Sequence, residues 1–131
     1  SNEDFIDRYL EALNLIEFED SDECRETSAK YRDFVIDIVE HAQKVKIGIT
    51  STGNSKIVGS IWLLVRALNL DITSQDIEAA CDNIRKNTFT RFSKAVEESK
   101  VMFVAIYEKY GIPHGFHDRI EIIKLDQSPA E

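Results

Sequence analysis

Residues 56–95 read KIVGSIWLLVRALNL, DITSQDIEAACDNI and RKNTFTRFSKA. The first piece is apolar on almost every side of a helix, with Arg66 as its only interior charge. A helix of that kind has to be surrounded by other helices. In the second piece Thr73 has the character of an N-cap, with Asp76 three residues on as a variant capping box, so a short helix over about 74–81 is predicted. Asp82 and Asn83 then form a turn, Asn83 being able to adopt the left-handed conformation. The third piece opens a longer helix whose first turns carry basic and hydroxyl side chains. A buried helix followed by a helix-turn-helix is a plan for presenting a surface, and no catalytic constellation sits on it.

Outward from this centre, apolar residues recur at helical spacing. Phe5, Ile6, Tyr9, Leu10 and Leu13 predict a helix over about 3–15, and Tyr31, Phe34, Val35, Ile38, Val39, Ala42 and Val45 another over about 26–45. The acidic run 17–23 and the glycine-bearing run Gly48–Asn54 read as loops. The central helix spans about 55–69, where Gly59 and Ser60 permit a close helix crossing. Asn87 or Thr88 is expected to cap a fifth helix, about 88–110, with Phe89, Phe92, Val96, Met102, Phe103, Ile106 and Tyr110 inward; Gly111 and Pro113 stop it. A tail, 111–131, follows, with a short apolar stretch from Ile120 to Leu125. The expected fold is all-α: one domain over 1–131, five helices, no sheet.

With 131 residues, few glycines and prolines and two cysteines without metal spacing, the chain reads as a globular helical protein of a reducing, intracellular compartment. No apolar run is long enough for a membrane span. The net charge of −8 argues against nucleic acid, but it is unevenly spread. Residues 1–40 carry −9, residues 41–70 carry +4 without a single acid, and residues 84–94 carry +4 through Arg85, Lys86, Arg91 and Lys94. The plain alternative is two solvated faces of opposite sign.

The segment Phe5-Ile6-Asp7-Arg8-Tyr9-Leu10-Glu11-Ala12-Leu13-Asn14-Leu15 resembles the first helix of the second cyclin repeat of transcription factor IIB. Thr52-Gly53 through Trp62 and Leu68 is similar to that family's loop and buried third helix. Thr73-Ser74-Gln75-Asp76-Ile77 followed by Asn87-Thr88-Phe89-Thr90-Arg91 is similar to its helix-turn-helix. The likeness covers about residues 4–98. It departs in the loop, where that family usually shows basic residues and a proline after its glycine and the run here is Gly53-Asn54-Ser55-Lys56, and in a turn that has no glycine and is one residue longer. The resemblance implies a cyclin-like fold in a monomeric nuclear domain of a longer chain. It further implies binding to promoter DNA and a TATA-binding protein, and help in recruiting RNA polymerase. Asn87, Thr88, Thr90, Arg91 and Lys94 would then face bases. Lys44, Lys46, Thr52, Asn54, Lys56, Arg85 and Lys86 would face phosphates, since a glycine-bearing loop at a helix start offers free backbone N–H groups.

Each of these residues also has a structural explanation. Arg91 either contacts guanine in bidentate fashion or pairs with a surface carboxylate; Phe89, Phe92 and Trp62 continue the buried pattern. Cys81 reads as a small core residue. His114 and His117 beside Asp118 lack a third or fourth metal ligand. Neither an enzyme nor a cofactor is expected, because no phosphate loop, Ser-His-Asp arrangement or paired buried carboxylate is present. The alternative function is a cyclin-fold protein–protein module without DNA binding, in which Glu17, Glu19, Asp20, Asp22 and Glu23 meet a basic partner.

Overall fold

The computed structural model describes residues 2–16 and 21–116. These form six α-helices and a single 3-10 turn, with no strand among them: α1 (Asn2–Ala12), α2 (Asp22–Lys44), α3 (Gly53–Ala67), α4 (Ser74–Ala80), α5 (Lys86–Glu98), the 3-10 turn (Lys100–Met102) and α6 (Val104–Lys109). The all-α expectation holds. The apolar stretch Ile120–Leu125 and His117 lie outside the described residues.

Helix α3 is the axis of the molecule. Ile57, Val58, Ile61, Leu63, Leu64 and Val65 are all buried, because α5 covers one side of it and α2 another. The crossing with α5 is close at Gly59: a Cβ there would stand 2.7 Å from the Phe89 carbonyl oxygen and 3.0 Å from the Phe92 ring. The Ser93 hydroxyl donates across the same crossing to the Gly59 carbonyl at 2.8 Å, so the polar group buried there is satisfied. The Ser60 hydroxyl turns back to the Lys56 carbonyl within its own helix.

Four helices end in one way. The residues after α1, α2, α3 and α6 that take a positive φ are Asn14 (58°), Lys46 (60°), Asn69 (53°) and Gly111 (63°). Behind each, the next N–H reaches five residues back: Leu15 to Leu10, Ile47 to Ala42, Leu70 to Val65 and Ile112 to Tyr107. This is the Schellman closure, in which an apolar residue follows the left-handed one and folds over the helix end. Asparagine and glycine suit the position; lysine does not.

Several boundaries differ from expectation. α1 stops at Ala12 because the closure at Asn14 takes up the residues to Leu15. α2 starts at Asp22, four residues early, since the Ser21 hydroxyl accepts from the Cys24 N–H and the acids Asp22 and Glu23 suit a helix N-terminus. Thr52 caps α3, so Gly53 and Asn54 are helical rather than loop.

The expected single helix over 88–110 is three pieces. It begins at Lys86 with Arg85 as N-cap, not Asn87 or Thr88, and it breaks at Ser99 into the 3-10 turn before α6. Met102 is 45 % exposed while Phe103 is fully buried. Met102 ends the 3-10 turn exposed, so the inward place expected for it is taken by Phe103 alone. Tyr107, absent from the predicted stripe, is buried edge-on against Phe34 with ring centres 5.1 Å apart.

Candidate nucleic-acid interface

The capping box predicted at Thr73 is complete: the Thr73 hydroxyl accepts from the Asp76 N–H at 3.1 Å, and the Asp76 carboxylate accepts from the Thr73 N–H at 2.9 Å. This starts α4 sharply. The turn to α5 is built from Asp82 and Asn83, both at positive φ (55° and 57°), with the Asn83 N–H bonded back to the Glu78 carbonyl. Ile77 and Cys81 anchor the unit from below, both fully buried. Burial, with some help from neighbouring Asp82, pushes the Cys81 thiol up to about 12, so it stays protonated and inert at neutral pH.

Two further contacts hold the angle of this unit. Asp82 accepts from the Tyr9 hydroxyl and from the Arg8 guanidinium, both at 2.6 Å, tying α1 to the turn. The Arg8 guanidinium also sits 5.1 Å from the Phe5 ring centre and 5.4 Å from that of Tyr9. Burial and the hydrogen bond to Asp82 raise Tyr9 to about 12. Glu78 reaches across from α4, and its carboxylate accepts from the Lys86 backbone N–H at the start of α5. Sequence reading missed Arg8, Tyr9 and Glu78 as determinants of this geometry, since their partners lie up to 74 residues away.

Phe89, Phe92 and Ser93 turn α5 inward; Asn87, Thr88, Arg91 and Lys94 are exposed on the other side. Thr90 is half-buried, and its hydroxyl is engaged with the Lys86 carbonyl. Among the described residues, Arg85, Lys86, Arg91 and Lys94 have no carboxylate within ion-pair distance. This removes the surface-pair explanation for Arg91 within that set. Arg66, by contrast, is paired with Glu97 at 3.1 Å and lies over the Trp62 ring, so the charge in the buried helix is structural.

The two basic segments meet. Gly48 in the loop between α2 and α3 (φ 65°) is so close to α5 that a Cβ would stand 2.5 Å from the Phe92 ring, the same ring that abuts Gly59. Lys46 lies two residues before that contact, Lys56 three residues before Gly59 and Lys94 two residues after Phe92. Lys44, Lys46 and Asn54 are exposed, and Lys56 is half-buried. Two of the expected phosphate contacts carry structural work. Thr52 caps α3, its hydroxyl 2.8 Å from that of Ser55, and Lys46 is the left-handed residue that ends α2.

The acidic group is at the other end. Asp22 and Glu23 form the exposed first turn of α2, Asp22 bonded to Arg25. Glu17, Glu19 and Asp20 lie outside the described residues. Across α2 the acidic turn and Lys44 are separated by about 33 Å. That exceeds the roughly 8 Å screening length in physiological salt, so the two charge groups act separately. Among the described residues no cluster of three metal-ligating side chains occurs, and no helix is long and apolar enough to cross a membrane.

No family model, curated protein or solved structure matches the chain.

Proposed function

We propose that the chain is a promoter-binding domain of the transcription factor IIB type, with a cyclin-like arrangement of its helices. α4, the turn and α5 act as a helix-turn-helix, α5 entering the major groove with Asn87, Thr88, Arg91 and Lys94. Thr90, its hydroxyl turned to its own helix, holds the backbone of that face. Lys44, Lys46, Asn54, Lys56, Arg85 and Lys86 lie along the phosphates. The assembly engages a TATA-binding protein on DNA and helps bring RNA polymerase to it in the nucleus. One observation carries this reading: α5 offers an exposed polar and basic face whose basic side chains have no ion-paired carboxylate among the described residues, and the second basic segment of the sequence packs beside it through Phe92.

Titration of promoter DNA in rising salt, with and without a TATA-binding protein, tests it. Log K should fall linearly with log salt, with a slope of about −0.9 per phosphate contact. Lys94→Ala should flatten that slope by about one, whereas Arg91→Ala should cost about 1–3 kcal/mol and relax the base preference. No binding at low salt in either arm would refute it.

A second reading is a protein–protein module of the same fold without DNA contact. It is favoured by Glu78, whose carboxylate occupies the start of α5 where a phosphate would sit, and by the net charge of −8. On that reading Arg91→Ala leaves partner binding intact, and charge reversal at Glu19, Asp20 and Asp22 abolishes it.

A further inference from the structure

We infer that the groove between the C-terminal end of α1 and α4 is a docking surface for a short basic, amphipathic segment of a partner protein. The groove encloses about 560 Å³ between Ala12–Asn14 on one side and Asp71, Asp76 and Ala79 on the other. Its apolar lining is Leu13, which is buried, with Ile72 and Ala80 half-buried. Small exposed side chains, Ala12 and Ala79, border it, which leaves room for the larger apolar residues of an incoming segment.

Charge selects the occupant. Two carboxylates, Asp71 and Asp76, line the groove and no basic residue does; Arg8 is the single base in the stretches that build it, 2–16 and 67–84. Arg8 is committed to Asp82, so it does not neutralise the groove. Asp76 is exposed and caps α4 through its carboxylate, and Asp71 is exposed with no ion pair or hydrogen bond to another described residue. Apolar side chains beside two carboxylates suit lysine or arginine, whose stems lie along apolar surface while their heads reach the acids. The same field repels acidic peptides and nucleic acid. None of the basic residues of 44–56 or 85–94 lines the groove, so this surface is separate from the outer face of α5.

The test is a titration of the whole isotope-labelled chain with a synthetic amphipathic lysine–leucine peptide and with its glutamate–leucine counterpart, followed by amide NMR shifts. Saturable shifts at Leu13, Ile72 and Ala80 are expected with the lysine peptide alone. Asp71→Lys should weaken binding roughly tenfold or more. Ala79→Trp, which fills the groove without changing charge, should do the same, circular dichroism confirming that both variants remain folded. Shifts confined to the acidic start of α2 would overturn the proposal, as would equal binding of the two peptides, affinity indifferent to both variants, or no saturable binding.

Discussion

Lys46 is held at a φ of 60° with its N–H bonded to the Gln43 carbonyl. A side chain at that conformation costs about 1–2 kcal/mol, which glycine avoids while losing part of the gain to its freer unfolded chain. Lys46→Gly is therefore expected to raise stability by about 0.5–1 kcal/mol in urea unfolding, although it removes a surface cation. Lys46 stood in the sequence only as a charge next to a glycine-bearing loop. Its role in ending α2 was not legible there, because asparagine or glycine marks such a position and lysine does not. Asn83 was legible for the opposite reason: asparagine after a short capped helix is itself a signal of the left-handed turn, which the structure extends to Asp82.

Between elements, the crossing of α3 and α5 depends on absent side-chain volume. Gly59→Ala places a methyl 2.7 Å from a backbone oxygen, which cannot rotate away, so the helices must separate. A loss of about 1–3 kcal/mol is expected on chemical denaturation. Gly53→Ala, where nothing stands within 4 Å, should change stability by less than about 0.5 kcal/mol. The pattern Gly59-Ser60 in an otherwise apolar helix announced a close crossing, and the capping box at Thr73 announced the start of α4. The break of the last predicted helix was not announced. Phe92, Val96, Phe103 and Tyr107 recur at spacings of four, seven and four, so apolar residues on both sides of the break keep helical phase. Periodicity reports which residues face a core; it is silent on where the backbone between them changes its hydrogen bonding.

At the scale of the whole molecule, polar ties hold the outer helices to their neighbours. Asp7 pairs with Arg32, Asp82 joins α1 to the turn before α5, and Asp37 joins α2 to the C-terminal end of α6 through Lys109 at 2.9 Å and Tyr110 at 2.5 Å. Burial works to raise the Asp37 pKa, but the hydrogen bonds from Tyr110 and Lys109 prevail and lower it. Its folded pKa thus lies below the unfolded value of about 3.9, so its contribution is complete above that pH and is lost as pH falls through the folded pKa. Stability of the native chain should therefore drop more steeply than that of Asp37→Asn between about pH 5 and pH 2, as followed by urea midpoints. The sequence by itself determined the helical class, the buried α3, the capped α4 and the inward side of α5, because each of these rests on local periodicity or on partners three or four residues apart. Only the tertiary structure decided that the two basic segments adjoin at Phe92, that Glu78 covers the start of α5, and that Arg8 and Tyr9 fix the turn. Those contacts reach beyond the three or four residues that local order relates, from eight residues for Glu78 to 74 for Arg8, and nothing in local order specifies which residue a side chain will meet.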